Sequence, residues 1–221
     1  MPFRHLSNAF AGYGPRYDDA AMSVEHKWDA PPSEGEPGEA PGSLRFIEEF
    51  VNSVEFPDGE DHLGTVEAAR RWLTARGIDA EGLDEAARAG LVELREAFRD
   101  LLAANAGHPV SQATIDMVMH RLNDTRLAVV ITEEGAHAHP APDEKGENVF
   151  LGTLAAAMIT SSVYGTWQRL KICRNEGCRW AFYDKSKNGG RVWCSMQSCG
   201  CQSKSRAYRA RKRATPVDAG G

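Results

Sequence analysis

The stretch Cys173-Arg-Asn-Glu-Gly-Cys178, followed after 15 residues by Cys194-Ser-Met-Gln-Ser-Cys199, decides how the C-terminal part of this chain is read. Two C-x4-C pairs at this separation suit a tetrahedral zinc ion. Each short knuckle presents two thiolates, and the spacer lets the second pair complete the shell. Four cysteine ligands leave no open position for water, so the predicted site holds one structural Zn²⁺ and is not catalytic. Gly177, beside Cys178, fits a knuckle turn that needs an unusual backbone angle. The fifth thiol, Cys201, competes with Cys199, but only Cys199 restores a second x4 pair. That leaves Cys201 as a small buried residue or an exposed, redox-sensitive one.

All five cysteines fall within 29 consecutive positions, and the first 172 residues have none. A secreted disulfide scaffold would spread them as long-range staples. The competing reading, a set of unligated buried or redox cysteines, explains less well why two matched pairs sit in one basic segment. No apolar stretch approaches the ~20 residues that span a bilayer; Leu151–Val163 comes nearest and contains Thr and Ser. The first 14 residues lack the basic start and apolar core of a signal peptide. A cytoplasmic protein, with no membrane partner, is expected.

Charge is segregated around the same cluster. Residues 169–213 hold 13 of the 26 Lys and Arg but only two of the 31 acids, Glu176 and Asp184, for a local +11. The remainder carries -16, and the chain's formal -5 averages the two. Zinc with four thiolates subtracts about two charges and leaves the segment strongly positive. Ser203–Arg213 (SKSRAYRARKR) is predicted as a helix, with Lys204, Arg206, Arg209, Arg211, Lys212 and Arg213 over most of its circumference. Such a helix is poor core material and reads as an electrostatic footprint. Those six cations and Arg191 are the candidate nucleic-acid contacts, with DNA as the expected partner. Trp180 and Phe182 are expected around the metal. The alternative is an interaction adaptor whose basic finger docks on an acidic surface: a partner protein, a second copy or the chain's own acidic body. Glu34, Glu36, Glu39, Glu48 and Glu49 are the acids expected to screen it.

Working back from the finger, residues 43–165 read as a mostly helical domain. Ser43 is the predicted cap of a helix over Leu44–Asn52, with Leu44, Ile47 and Val51 inward. A second helix spans Val66–Ala75, ended by Gly77. A long one covers Leu83–Ala106, with Leu91, Leu94, Phe98, Leu101 and Leu102 as its apolar stripe and Glu93, Arg95, Glu96 and Arg99 in solvent. Ser111 caps Gln112–Asn123, placing Ile115, Val118, Met119 and Leu122 inward. Leu127–Thr132 and Ala136–Pro140 form a small hairpin, and Val149–Tyr164 is a buried helix. The expected fold is mostly α with a minor β-hairpin (α+β), plus a small four-cysteine zinc-finger module ending in a basic helix. Residues 1–42 (Pro, Gly and Glu-rich) and 214–221 are expected to be flexible. Residues 166–213 are the finger, too close to the helices to swing freely.

The residues also carry a resemblance. Cys173-x4-Cys178-Arg179-Trp180-x-Phe182-x-Asp184-x-Ser186, then Arg191-x-Trp193-Cys194-Ser195-Met196-x2-Cys199-Gly200, then Lys204-x-Arg206-x-Tyr208-x2-Arg211, resembles the CGNR-type zinc finger. That finger sits at the C-terminus of bacterial proteins with an N-terminal ABATE domain, described as stress-induced transcription regulators. Phe50-Val51-Asn52, Trp72-Leu73, Leu94-Arg95-Glu96-Ala97 and Leu122-Asn123 are similar to that domain. The resemblance implies a DNA-binding regulator whose helical domain senses a small-molecule effector or forms a homodimer. The signature itself is altered: Cys199-Gly200-Cys201-Gln202 replaces both the Asn and the Arg.

Enzymatic readings are weak. His137-Ala-His139 offers two imidazoles on one strand face without a third ligand, and His62 with Asp58, Glu60 and Asp61 reads as a solvated acidic loop. Neither a Gly-rich phosphate loop nor a G-x-S-x-G elbow occurs. A non-enzymatic protein is expected.

Overall fold

The structure, a computed structural model, describes residues 39–57, 59–133 and 135–201. In chain order it contains α1 (Leu44–Val51), α2 (Val66–Thr74), α3 (Glu85–Ala104), α4 (Gln112–Asn123), β1 (Leu127–Thr132), β2 (Gly135–Pro140) and α5 (Glu147–Val163). A 3-10 turn (Trp167–Arg169), β3 (Leu170–Ile172), β4 (Ala181–Tyr183) and one π-helical turn (Met196–Gly200) follow. The fold is mostly α with two small antiparallel hairpins, β1–β2 and β3–β4.

Helix starts follow local chemistry. Thr65, Asp84 and Ser111 each accept a bond from the backbone N–H three residues on, at 3.2, 2.8 and 3.0 Å, satisfying donors that the first turn leaves free. Ser43 differs from expectation: it already has helical angles and its side chain caps nothing. The segment before α1 is fastened instead by Glu48, which accepts from Ala40 N at 2.8 Å. Gly77 and Gly107 take φ of 74° and 88°, ending α2 and α3.

The core is aromatic at its centre. Phe50 on α1 meets Phe150 on α5 edge-on at 4.9 Å between centroids, Phe98 on α3 at 6.0 Å and Trp72 on α2 at 6.1 Å. Leu44, Ile47, Leu91, Leu94, Leu102 and Leu154 close around them. Complete burial of each is worth about 1.5–3 kcal/mol.

Two expectations about helix faces are corrected. Arg95 and Arg99 are not in solvent: they are 3% and 2% exposed. With Leu91 they form an i, i+4, i+8 row on the inner side of α3, and periodicity weighted by hydropathy puts charges on the wrong side. Burial is tolerated because their donors are matched. Arg95 bonds both oxygens of Asp61, at 2.6 and 3.0 Å, and Glu96 at 3.0 Å. Burial works against ionisation of Asp61, but the Arg95 bonds outweigh it and hold the carboxyl below its ordinary range. Asp61 is therefore a structural anchor and not part of a solvated loop; Asp58 lies outside the described residues. The second correction is Met119, 55% exposed, while Met117 packs on the core and Val118 is buried.

The hairpin pairs Leu127 with Pro140 through Thr132 with Gly135 and lies along α5. Gly152 makes that approach feasible: a Cβ there would sit 3.0 Å from Pro140 Cβ and 3.1 Å from Thr125 Oγ1. The first turns of α5 are buried, as expected, but Ile159, Val163 and Tyr164 at its end are exposed.

Candidate metal centre

The finger is built on β3–β4, whose two faces do different work. Leu170 pairs with Tyr183 and Ile172 with Ala181, and all four join the apolar core of the helices. Between them, Lys171 pairs with Phe182. Alternation sends that pair to the other face, where Phe182 packs with Cys173, Cys199, Cys178, Trp193 and Cys194. Of the two aromatics expected around the metal, Phe182 is there; Trp193 takes the second place, and Trp180 is half-buried outside that cluster.

The first knuckle leaves β3 at Cys173, whose N–H donates to Trp180 O at 2.9 Å, while Cys178 N–H turns back to Asn175 O at 2.7 Å. The strained angle falls on Arg179 (φ 51°) and not on Gly177. The second knuckle is the π-helical turn, capped by Ser195 Oγ, which accepts from Ser198 N at 3.3 Å. Arg174 N–H to Val192 O, at 2.9 Å, ties the knuckles together.

The four thiols of Cys173, Cys178, Cys194 and Cys199 lie within 4.8 Å of one another. Cys178 and Cys194 are 3.6 Å apart and Cys194 and Cys199 3.8 Å. Four sulfurs at ~2.3 Å from one zinc would sit about 3.8 Å apart, and a disulfide would need ~2.05 Å. The donor set therefore fits tetrahedral metal. Its electrostatics agree. A hydrogen bond from the Cys194 thiol, with backbone bonds at Cys194 and Asn175, pulls Cys173 down to about 5 against its burial. Burial, with the Cys173 charge adding to it, pushes Cys178 up to about 11; Cys194 is also pushed up, chiefly by holding its proton against Cys173. Once one thiol has ionised its neighbours resist, and a divalent cation removes that conflict. Cys201 is exposed and stands outside the four.

Around the thiols is a polar shell. Asn175 Nδ2 donates to Cys199 Sγ at 3.5 Å, the kind of outer bond that orients a ligand. Asp184 is fully buried and accepts from Lys171 Nζ, Ser186 N and Arg191 N, each at 2.9 Å. Burial would raise its pKa, but the bonds from Ser186, Lys171 and Arg191 prevail and hold it at about 2. Arg191 donates to Trp193 O at 2.7 Å and to Cys194 O, and lies over the Phe182 ring. Its guanidinium fastens the second knuckle, an internal role that sequence reasoning did not assign. The other six candidate nucleic-acid residues, Lys204, Arg206, Arg209, Arg211, Lys212 and Arg213, and the helix expected over them, lie outside the described residues.

Sequence reasoning also missed the seam joining finger to helices. Asn52, just after α1, pairs with the backbone of Ala181 in both directions, at 2.9 and 2.8 Å. Asn105 donates to Trp167 O and Leu170 O, each at 2.9 Å. Arg99 reaches Val51 O at 2.6 Å, Arg179 O at 2.7 Å and Glu96 at 3.0 Å, and the Arg99 and Arg179 guanidinium groups both lie against the Phe56 ring. The modules share one apolar core, which the expected contact between them only partly anticipates.

The acids expected to screen the basic segment have other partners. Glu39 and Glu49 hold Arg45, Glu49 also holds Arg76, and Glu48 is buried under Ala40; Glu34 and Glu36 lie outside the described residues. His62 stands 3.6 Å from Glu60, and His137 and His139 are half-buried on β2. For an effector, a depression of about 450 Å³ opens beside Arg70, Thr74 and Ile78, a surface feature and not an enclosed cavity. Among the described residues no helix is long and apolar enough to cross a membrane.

A helical body whose core continues into a hairpin carrying four convergent thiols defines a protein with a C-terminal, cysteine-only zinc finger. Comparison with protein families specifies it further. Residues 169–212 match the CGNR zinc finger, and residues 44–163 match the ABATE family, described as "putative stress-induced transcription regulator". The second match covers more than half of the chain, and the protein belongs to the ABATE family. A comparison with curated proteins finds no match.

Proposed function

We propose that this protein is a DNA-binding transcription regulator whose finger is held by one structural Zn²⁺ on Cys173, Cys178, Cys194 and Cys199. The basic segment directly after the last ligand supplies the phosphate contacts. The supporting observation is the four-thiol cluster, whose last member is followed within five residues by the first of six cations, Lys204 to Arg213. When bound, the metal supplies the cross-link that fixes both knuckles; it performs no chemistry on a substrate, because four thiolates fill its shell. Lys171, Asp184 and Arg191 hold the chain around it. Lys204, Arg206, Arg209, Arg211, Lys212 and Arg213 neutralise phosphates, and Arg191 acts through the knuckle that it fastens. The signature lacks its terminal Arg, which removes one phosphate donor and leaves the load on the six. No catalytic step is assigned to the chain.

Random-sequence duplex DNA, titrated with the full chain and with a chain ending at Cys201 over a range of salt, tests this reading. Six phosphate contacts predict a log–log salt slope of about -5, lost with the truncation, which leaves the described fold intact. Binding that ignores both salt and truncation overturns it.

A further inference from the structure

Strand β1, Leu127-Ala-Val-Val-Ile-Thr132, pairs with β2 along one edge, and among the described residues no strand pairs with the other. Protein edges are ordinarily guarded by a lysine, a proline or a bulge, and β1 has none of these. Its outward residues are apolar: Val129 is 68% exposed and Ile131 81%, and the register sets Ala138 and Ala136 opposite them. Eight large apolar side chains are exposed among the described residues, and seven belong to α4, β1 and α5 with its cap; only Met196 of the finger lies elsewhere.

Six of the seven, Leu127, Val129 and Ile131 of β1 and Ile159, Val163 and Tyr164 of α5 with its cap, lie on two elements that the topology sets side by side. Pro140 packs on Gly152, and a short loop turns the chain back from β2 into α5. The hairpin therefore runs toward the C-terminal end of α5. Five strand residues at 3.3 Å and eleven helix residues at 1.5 Å both span about 17 Å, which brings the β1 tip to the level of Ile159, Val163 and Tyr164. A row of exposed apolar side chains along an unguarded strand edge marks an interaction surface.

We propose that this patch is the interface of a two-fold dimer, with β1 pairing antiparallel to β1 of a second copy. Two observations favour a second copy over another occupant. An identical apolar strand is its own complement, as two-fold symmetry requires. Charges flank the strand with opposite sign, Arg126 before it and the exposed Glu133 after it. Antiparallel pairing about Val129 sets Val129 against its own copy and Leu127 against Ile131, and brings the Arg126 end of each strand beside the Glu133 end of the other, whereas parallel pairing would bring like ends together. Arg126 already holds Asp143 and Glu144, yet its side chain stays 65% exposed and free to be shared. The inference does not depend on what the finger binds.

The test is sedimentation of the full, zinc-loaded chain from submicromolar to tens of micromolar. The expected particle has twice the chain mass of 24.2 kDa. The double substitution Val129→Asp/Ile131→Asp is expected to weaken association at least ~100-fold, with zinc content and helical melting unchanged because both side chains are exposed. Glu133→Arg should weaken it several-fold at low salt. A chain that stays monomeric throughout, or a dimer unmoved by the double substitution, overturns the proposal.

Discussion

The helical body and the finger are held together by different physics. In the body, Phe50, Phe98, Phe150 and Trp72 bury one another, and the helices persist because apolar area leaves water. In the finger, the cluster around the thiols is Phe182 and Trp193 with the cysteines themselves, too small a core to stand alone. The finger makes up the difference in two ways. It lends Leu170, Ile172, Ala181 and Tyr183 to the body's core, and it brings its two knuckles together around four convergent thiols. Thus half of the finger is a piece of the body and half is gathered about a candidate metal centre, and the seam runs along the short hairpin β3–β4.

Breaking the metal half has the largest expected effect. Cys173→Ser or Cys199→Ser should abolish stoichiometric zinc in elemental analysis, against an apparent binding energy on the order of 10–16 kcal/mol in small zinc peptides. Cys201→Ser should retain it. The thermal melt of the helices should persist in all three, since the aromatic cluster does not involve a thiol. Collapse of both regions in Cys173→Ser would show that the division is drawn in the wrong place.

Arg99 is where the two halves meet, so its loss should be felt in both. Arg99→Ala removes the donor to Val51 O, Arg179 O and Glu96, leaving buried acceptors unmatched. A cost of about 1–3 kcal/mol for each unmatched carbonyl is expected. Chemical denaturation followed separately by helix signal and by zinc release should show the two transitions drift apart. Coincident transitions at an unchanged midpoint would remove Arg99 from the seam.

The body carries a pH-dependent contribution at Glu48 that is felt near neutral pH. Burial pushes this carboxyl up to about 7, partly offset by the Ala40 N–H. Its folded pKa exceeds the unfolded value of ~4.3, so the folded chain holds the proton longer. The contribution is fully present below about pH 4 and is lost as pH rises through about 7, at most about 4 kcal/mol. Urea midpoints of the helix signal should fall between pH 5 and pH 8, and Glu48→Gln should flatten that fall. A Gln variant with the same slope as the parent would assign the dependence to another group. Asn52→Ala, which breaks two bonds to Ala181, should cost less, about 1–3 kcal/mol, measured as an earlier release of zinc on heating.

The thiol set was legible in the sequence because metal geometry needs only residue type and spacing, and both C-x4-C pairs supply it. The helices were legible to within a few residues from their periodic stripes and, at Ser111, from the cap; Asp84, which caps α3, falls inside the helix that its stripe predicts. What could not be read was whatever depends on a partner distant in sequence. Arg95 and Arg99 look like surface residues until Asp61, Val51 and Arg179 are brought to them. β3 and β4, three residues each, are too short to show an alternation. Asn52 carried no signal beyond its place at the end of a helix, where a side chain that bonds backbone atoms is ordinary. The internal role of Arg191 was hidden because a cation in a basic segment resembles a phosphate contact until Trp193 O and Cys194 O are seen beside it.

The most direct measurement couples the two claims about the finger, that one metal holds it and that it presents cations to nucleic acid. Zinc is returned in steps to the chelated full chain while the anisotropy of a labelled duplex is followed at fixed, moderate salt. The predicted result is affinity that rises with zinc and saturates at one equivalent per chain, with no such rise in Cys173→Ser. Duplex binding that is equally tight before and after zinc is returned, or that saturates at another stoichiometry, would contradict the account.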